Sequence, residues 1–357
     1  MKGESDAEPV LLRQNRSERF LATLAPYARV VLVSHVNPDP DALASMLGLK
    51  ALLEQRQPGK PIVMTVDGMI ARAENRAMVD LIPIPLVPVE QVVYEPNDAL
   101  VMVDSQPGTG RRASEAVTPV VVLDHHETGG NLDGVTFRDI RQNLGATCTL
   151  VTGYLLEQEI GISQKLATAL LYGIDSEVSG YPREAGPLDD GALVWLFPRA
   201  DKDLLARIKN PKLSQDYFAT FQHALANAFL YGDVVVSWCG EVPQPDIIAE
   251  VADFFIRFER VNWSLSIGLF GNLLKLSART AHLGGHAGEV LREVVDGQGT
   301  AGGHDKRAGG AIPLPDVETH TIDAALRLIR HRLLATLEID EQRGHRLLQA
   351  SPIIQAP

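Results

Sequence analysis

Cysteine is nearly absent from this sequence: Cys148 and Cys239 are the two among 357 residues, far apart and in no metal-ligand spacing. That excludes a disulfide framework and a cysteine-built zinc site, fits a reducing cytosol, and leaves both thiols as buried apolar residues. No apolar run approaches the length of a membrane span, so no membrane is expected as a partner. The opening residues carry acids where a signal peptide needs a positive stretch and then an apolar one, and a cytoplasmic location is expected. Basic excess is also missing. Lys and Arg number 33 against 45 Asp and Glu, for a net charge of −12. A protein that wraps long duplex nucleic acid needs a basic face, so such a partner is excluded. Short anionic ligands stay compatible, because a pocket can gather Arg, His or bound cations inside an acidic surround. Low-complexity linkers and repeats of fixed period are absent too, which disfavours a solenoid.

What is present is enough for two cores. A chain of 357 residues exceeds the size at which single cores usually stop growing, and 45% hydrophobic with 22% charged residues is a globular composition. Residues 17–28 read as a helix. RVVLVS at 29–34 reads as a strand buried on both faces, and it runs into HVNPDPDA, where Pro38 and Pro40 impose an extended loop before a helix that starts near Asp41. PIVMTVDG at 61–68, ALVMVDS at 99–105 and PVVVLD at 119–124 repeat the apolar pattern with helical stretches between them. The expected fold class is α/β: a parallel β-sheet with flanking helices over 17–200, then a helical connector at 201–232. A smaller α/β domain with a mixed sheet follows at 233–345, with a cleft between the two domains.

The chemistry is expected at strand ends. In parallel sheets ligands gather at the carboxyl ends of strands, and three of these strands run directly into His35, Asp104 and Asp124. Four clusters of acids and imidazoles stand out: His35 with Asp39 and Asp41; Asp104; Asp124, His125 and His126; and Asp175 with Glu177. Taken singly, a polar turn or a hydrogen-bonded histidine pair explains each one. Their successive placement at strand ends on one sheet edge argues for a shared site. Mixed carboxylate and imidazole donors suit a divalent ion such as manganese. Two such ions sharing a carboxylate and a water lower the pKa of that water enough to make a hydroxide nucleophile at neutral pH.

These residues resemble the DHH phosphoesterases, a family that includes RecJ-type exonucleases, nanoRNases with 3'-phosphoadenosine-5'-phosphate phosphatase activity, cyclic-dinucleotide phosphodiesterases and family II pyrophosphatases. The first family motif stands as Val33-Ser34-His35-Val36-Asn37-Pro38-Asp39-Pro40-Asp41, the second as Val103-Asp104-Ser105, and the naming motif as Asp124-His125-His126. The resemblance implies two divalent metal ions, manganese favoured and magnesium allowed. It places His35 and Asp39 on one ion, Asp41 and His125 on the other, and Asp104 bridging both. His126 would face the substrate phosphate, and Asp124 would orient the histidines from behind. AGGHDKRAGG at 301–310 is similar to the glycine-rich motif of the DHH-associated substrate domain, with Gly302, Gly303, His304 and Arg307 as phosphate or nucleotide contacts and Arg279 facing the cleft. A second match, Gly284-Gly285-His286, is read as a turn before a helix start.

One motif departs from the family pattern. The family's fourth motif ends in an aspartate that completes the second metal site, whereas this chain reads Gly173-Ile174-Asp175-Ser176-Glu177-Val178. Glu177 fills the slot by spacing, and Asp175 is the alternative. The expectation is a manganese-dependent phosphoesterase of the nanoRNase-like branch, acting on short oligonucleotides or small nucleotides, with homodimerisation allowed. A nucleotide-binding regulator with a degenerate second metal site is the competing reading.

Overall fold

The structure is a computed structural model that describes residues 16–70, 72–109, 117–127, 129–179, 185–303, 305–340 and 343–348. The chain divides into two compact units, Met1–Pro211 and Lys212–Pro357.

In the first unit α1 (Ser17–Leu24) precedes β1 (Arg29–Val33), α2 (Pro40–Arg56), β2 (Ile62–Val66), α3 (Ala73–Leu81), β3 (Leu86–Pro88), β4 (Asp98–Val103), β5 (Val121–Asp124) and β6 (Phe137–Ile140). The helices α4 (Thr147–Glu157), α5 (Gln164–Val178), α6 (Pro187–Leu196) and α7 (Lys202–Lys209) follow. The six strands form one parallel sheet in the order β3-β2-β1-β4-β5-β6. Strand order reverses between β1 and β4, the point where ligands collect in open parallel sheets.

The strands are apolar because both faces are covered. Val30 and Leu32 face the core shared with α2, α4 and α5, while Val31 and Val33 join Leu100, Met102 and Val122 on the other face. Each such fully buried side chain contributes about 1.5–3 kcal/mol relative to exposure. α2 starts where Asp39 caps it, its Oδ1 accepting from the Ala42 N–H at 3.0 Å, with Pro40 in the first turn. α1 is shorter than expected. It stops at Leu24 because Pro26 removes an N–H from the helical ladder. A buried polar knot ties β6 to α4: Asp139, fully buried, accepts from Arg141 Nη2 at 2.6 Å, Arg16 Nη1 at 2.9 Å and Tyr154 Oη at 2.8 Å.

The second unit holds α8 (Gln215–Ala226), β7 (Ala228–Tyr231), β8 (Val234–Glu241), α9 (Asp246–Phe255), β9 (Trp263–Phe270) and β10 (Leu273–Thr280). It continues with α10 (Ala287–Val295), β11 (Thr300–Gly303), β12 (Arg307–Pro313), α11 (Thr319–Thr336) and β13 (His345–Arg346). The sheet is mixed, in the order β11-β12-β10-β9-β8-β7-β13, with β8 and β9 parallel and the other pairs antiparallel. Leu274, Leu276 and Ala278 of β10 face the core that includes Leu291 of α10 and Leu333 of α11.

The stretch 201–232 is not a separate connector. α7 packs into the first unit, through Leu204 and Ile208, while α8 and β7 belong to the second. The apolar periodicity read as a connector helix is the buried face of α8, where Ala224, Tyr217 and Phe221 pack beside Val251 and Phe255 of α9. Among the described residues, no helix is long and apolar enough to cross a membrane.

Candidate metal centre

Four chain segments deliver the cluster. His35 follows β1, Asp39 and Asp41 stand at the start of α2, Asp104 follows β4, and Asp124, His125 and His126 end β5. Asp104 has φ of +57°, a left-handed conformation that costs a non-glycine residue of order 1 kcal/mol or more. The turn is held by the Asp104 N–H donating to the Leu123 carbonyl at 2.8 Å, and it carries the carboxylate to the centre of the group.

Asp104 is 1% exposed and its two oxygens face different neighbours. Oδ2 lies 3.4 Å from His35 Nε2, which is itself 3.7 Å from Asp39 Oδ2. Oδ1 lies 3.5 Å from His125 Nε2, which is 3.8 Å from Asp41 Oδ2. Two metal-sized groupings result: His35, Asp39 and Asp104, and Asp104, His125 and His126. The five residues expected as ligands near the sheet edge therefore come together, although they are up to 90 positions apart in sequence.

Both His35 and His125 are set with Nε2 inward. His35 Nδ1 is 3.0 Å from the Val36 carbonyl and His125 Nδ1 is 3.3 Å from the Leu144 carbonyl, so each Nδ1–H has an acceptor and each Nε2 faces carboxylates. Asp124, 1% exposed, stands behind them. Its Oδ1 accepts from His126 Nδ1 at 2.8 Å and from the His125 N–H at 2.8 Å, and its Oδ2 accepts from Gln106 Nε2 at 2.7 Å.

The electrostatics are those of an acid-rich site. Burial opposes charge on His125, yet the carboxylates of Asp104, Asp41, Asp124 and Glu177 hold its pKa up to about 9. Burial opposes charge on His35 too, and hydrogen bonds to Asp104 and Asp39 outweigh it, raising that group well above the usual histidine value. Burial and the Asp104 charge push Asp41 well above the ordinary carboxylate range. Asp124 is held at about 2, burial being outweighed by its hydrogen bond to His126 and that ring's charge. Crowded carboxylates with inward imidazole nitrogens, once these are deprotonated, form a donor set that fits divalent cations, whose charge relieves the repulsion.

The fourth motif divides its two acids. Asp175 accepts from Lys209 Nζ and, at 2.6 Å, from Ser179 Oγ, on a partly exposed side of α5. Glu177, two residues on and so about 200° around the helix, acts electrostatically on both Asp41 and His125. Of the two acids, Glu177 is the one whose charge is felt by Asp41 and His125, raising both groups.

Gly302 and Gly303 lie in β11 and Arg307 opens β12, so the glycine-rich stretch is a β-hairpin rather than an open loop. His304 lies outside the described residues. Arg307 pairs directly across the ladder with Arg279, a buried residue whose guanidinium donates to Asp253 and, through Nη1, to Ser277 Oγ at 2.8 Å. Gly284-Gly285-His286 is a turn that starts α10, as its sequence suggests, and its Gly284 and His286 N–H groups donate to Asp305 at 2.9 Å each. Sequence reasoning missed Thr147 and Gln106. Both are neutral residues with no motif signature, and they become visible only through the carboxylates they hold.

Residues 29–174 match the DHH family, N-terminal domain, over the part of the first unit that carries the sheet and the convergent acids and histidines. Among curated proteins, the chain is 31% identical over 323 residues to the uncharacterised protein MJ1633 of Methanocaldococcus jannaschii, covering 88% of this chain and 65% of that protein. It is 26% identical over 333 residues to the cyclic-di-AMP phosphodiesterase GdpP of Geobacillus thermodenitrificans, covering 86% of this chain and 48% of that one. This chain thus spans less than two thirds of the length of either relative. An exopolyphosphatase-related protein from Bacteroides fragilis shares the fold at a TM-score of 0.71 with 16% identity, covering 91% of this chain and 98% of that one.

Proposed function

We propose that this protein is a hydrolase that uses two divalent cations, manganese by preference, to cleave phosphodiester or phosphomonoester bonds in short oligonucleotides or small nucleotides. The observation that carries this reading is the convergence of His35 Nε2 and His125 Nε2 on different oxygens of one buried carboxylate, Asp104. In it His35 and Asp39 hold one cation, Asp41, His125 and Glu177 the other, and Asp104 both. Bound there, the cations supply a water of lowered pKa and neutralise charge on the phosphoryl oxygens.

The remaining work falls to side chains. His126, fixed through Nδ1 by Asp124, is suited to stabilise charge on the phosphate or to protonate the leaving oxygen. Gly302 and Gly303 leave backbone accessible to an anion, and Arg307 adds a positive charge beside them. The net charge of −12 favours small substrates over long duplexes. A relative whose name is cyclic-di-AMP phosphodiesterase points the same way, toward dinucleotide-sized phosphodiesters.

The test is an assay of the full chain with manganese on short oligoribonucleotides, linear and cyclic dinucleotides, 3'-phosphoadenosine-5'-phosphate and pyrophosphate. Turnover of a nucleotide substrate that falls at least ~10²-fold in Asp104→Ala supports the proposal. Nucleotide binding with no turnover on any of them replaces it with the weakened, regulatory reading.

A further inference from the structure

We infer that Thr147 is a positioning residue, which fixes the rotation of the Asp104 carboxylate so that its two oxygens serve two different cations; this rests on the two-cation reading above. Thr147 is the first residue of α4 and is wholly buried. Its Oγ1 donates to Asp104 Oδ1 at 2.9 Å. Its backbone N–H donates to Asp41 Oδ2 at 2.7 Å, and the next N–H, of Cys148, donates to Asp41 Oδ1 at 2.6 Å. One residue therefore grips two carboxylates that come from different elements, α2 and the end of β4.

The two grips differ in kind. Asp41 is held by the backbone of a helix N-terminus, where free N–H groups and the helix dipole favour an anion whatever side chain stands at 147. Asp104 is reached from Thr147 by the hydroxyl alone, while its other oxygen faces His35. A carboxylate on a single Cβ–Cγ bond rotates broadly, because that torsion has no sharp staggered wells. The hydroxyl selects the rotation in which Oδ1 lies on the His125 side and Oδ2 on the His35 side. Without it, either oxygen can swing, and a bridging geometry is lost before either terminal ligand set is. Hydrogen-bonding partners behind metal ligands characteristically change affinity by about 10–100-fold.

The test measures manganese binding to the full chain by calorimetry and by the electron paramagnetic resonance signal of a coupled ion pair. Thr147→Val keeps the shape and both backbone bonds to Asp41 but lacks the hydroxyl. It is expected to leave one ion bound with near wild-type affinity, to weaken the other by about 10–100-fold and to lose the coupled-pair signal. Thr147→Ser is expected to restore both. Thr147→Ala carries the same expectation as the valine, should the valine variant not fold. Wild-type binding of both ions by a folded Thr147→Val or Thr147→Ala, equal weakening of both ions, or no restoration by serine overturns the inference. A wild-type chain that binds fewer than two ions fails the two-cation reading itself, a separate outcome read before any variant is made.

Discussion

Gly173 of α5 stands so close to the start of α2 that a methyl group on it would fall 3.0 Å from the Pro40 carbonyl oxygen and 2.6 Å from Cys148 Sγ. This contact sets the height of α5 over the two acids that begin α2, one turn before Glu177. Gly173→Ala therefore forces backbone or a buried sulfur to shift, an overpacking cost of about 1–3 kcal/mol. The expected result is a melting temperature lower by roughly 2–10 °C in calorimetry, together with weaker binding of one cation. An unchanged melting curve would show that α5 can slide freely over α2.

Glu177 and Asp175 are expected to separate when substituted. Glu177→Ala is expected to weaken one of two manganese ions by about tenfold or more in calorimetry. Asp175→Ala removes a partly exposed pair with Lys209, leaves metal binding unchanged and alters stability by about 0–1 kcal/mol. The reverse ranking of the two variants in a metal titration would exchange their assignments.

The histidine shifts set the direction of the pH dependence. His35 and His125 have raised pKa values in the metal-free fold, that of His125 about 9, so both carry protons at neutral pH. A cation needs them neutral, so binding releases protons and affinity climbs as pH rises toward about 9. Stability of the metal-free protein runs the other way: the contribution of a raised histidine is complete below its unfolded value near 6.5 and fades as pH rises through its folded value. The shift in melting temperature on adding manganese is therefore expected to be larger at pH 8.5 than at pH 6. Titrations in buffers of different ionisation enthalpy count the released protons, and zero release contradicts the assignment.

Gln106 is buried, donates to Asp124 and accepts from the Gly129 and Gly130 N–H groups at 3.2 and 3.4 Å, so it fastens the segment after His126 to the end of β4. Gln106→Ala frees both Asp124 Oδ2 and those N–H groups. Under the proposed reaction, kcat falls by about 10–100-fold while metal stoichiometry stays at the wild-type value. Steady-state kinetics beside a metal titration separate this from simple loss of the site.

Much of the first unit was legible because its strands are buried on both faces and therefore read as unbroken apolar runs, as in RVVLV and ALVMV. The short strands β3, β6, β7, β11 and β13 were not legible. Two to four residues, some of them polar or glycine as in β6 and β11, carry no periodicity, and their pairing partners decide their conformation. In the site, the ligand types at strand ends could be read residue by residue, since carboxylates and imidazoles are few and conspicuous there. The choice between Glu177 and Asp175 could not, because it depends on which side of α5 meets α2.

The sequence by itself determined the alternation of apolar runs with helices, the acids and histidines at the strand ends, and an overall charge that disfavours long nucleic acid. Local chemistry suffices for these, because each depends on the residues adjacent in the chain. Only the tertiary structure decided that β1 and β4 lie side by side, that Asp104 turns through a left-handed residue to meet both histidines, and that a neutral threonine on α4 grips two acids. Those outcomes depend on contacts between residues up to 107 positions apart, as between Asp41 and Cys148, and no local pattern encodes a distance across a sheet.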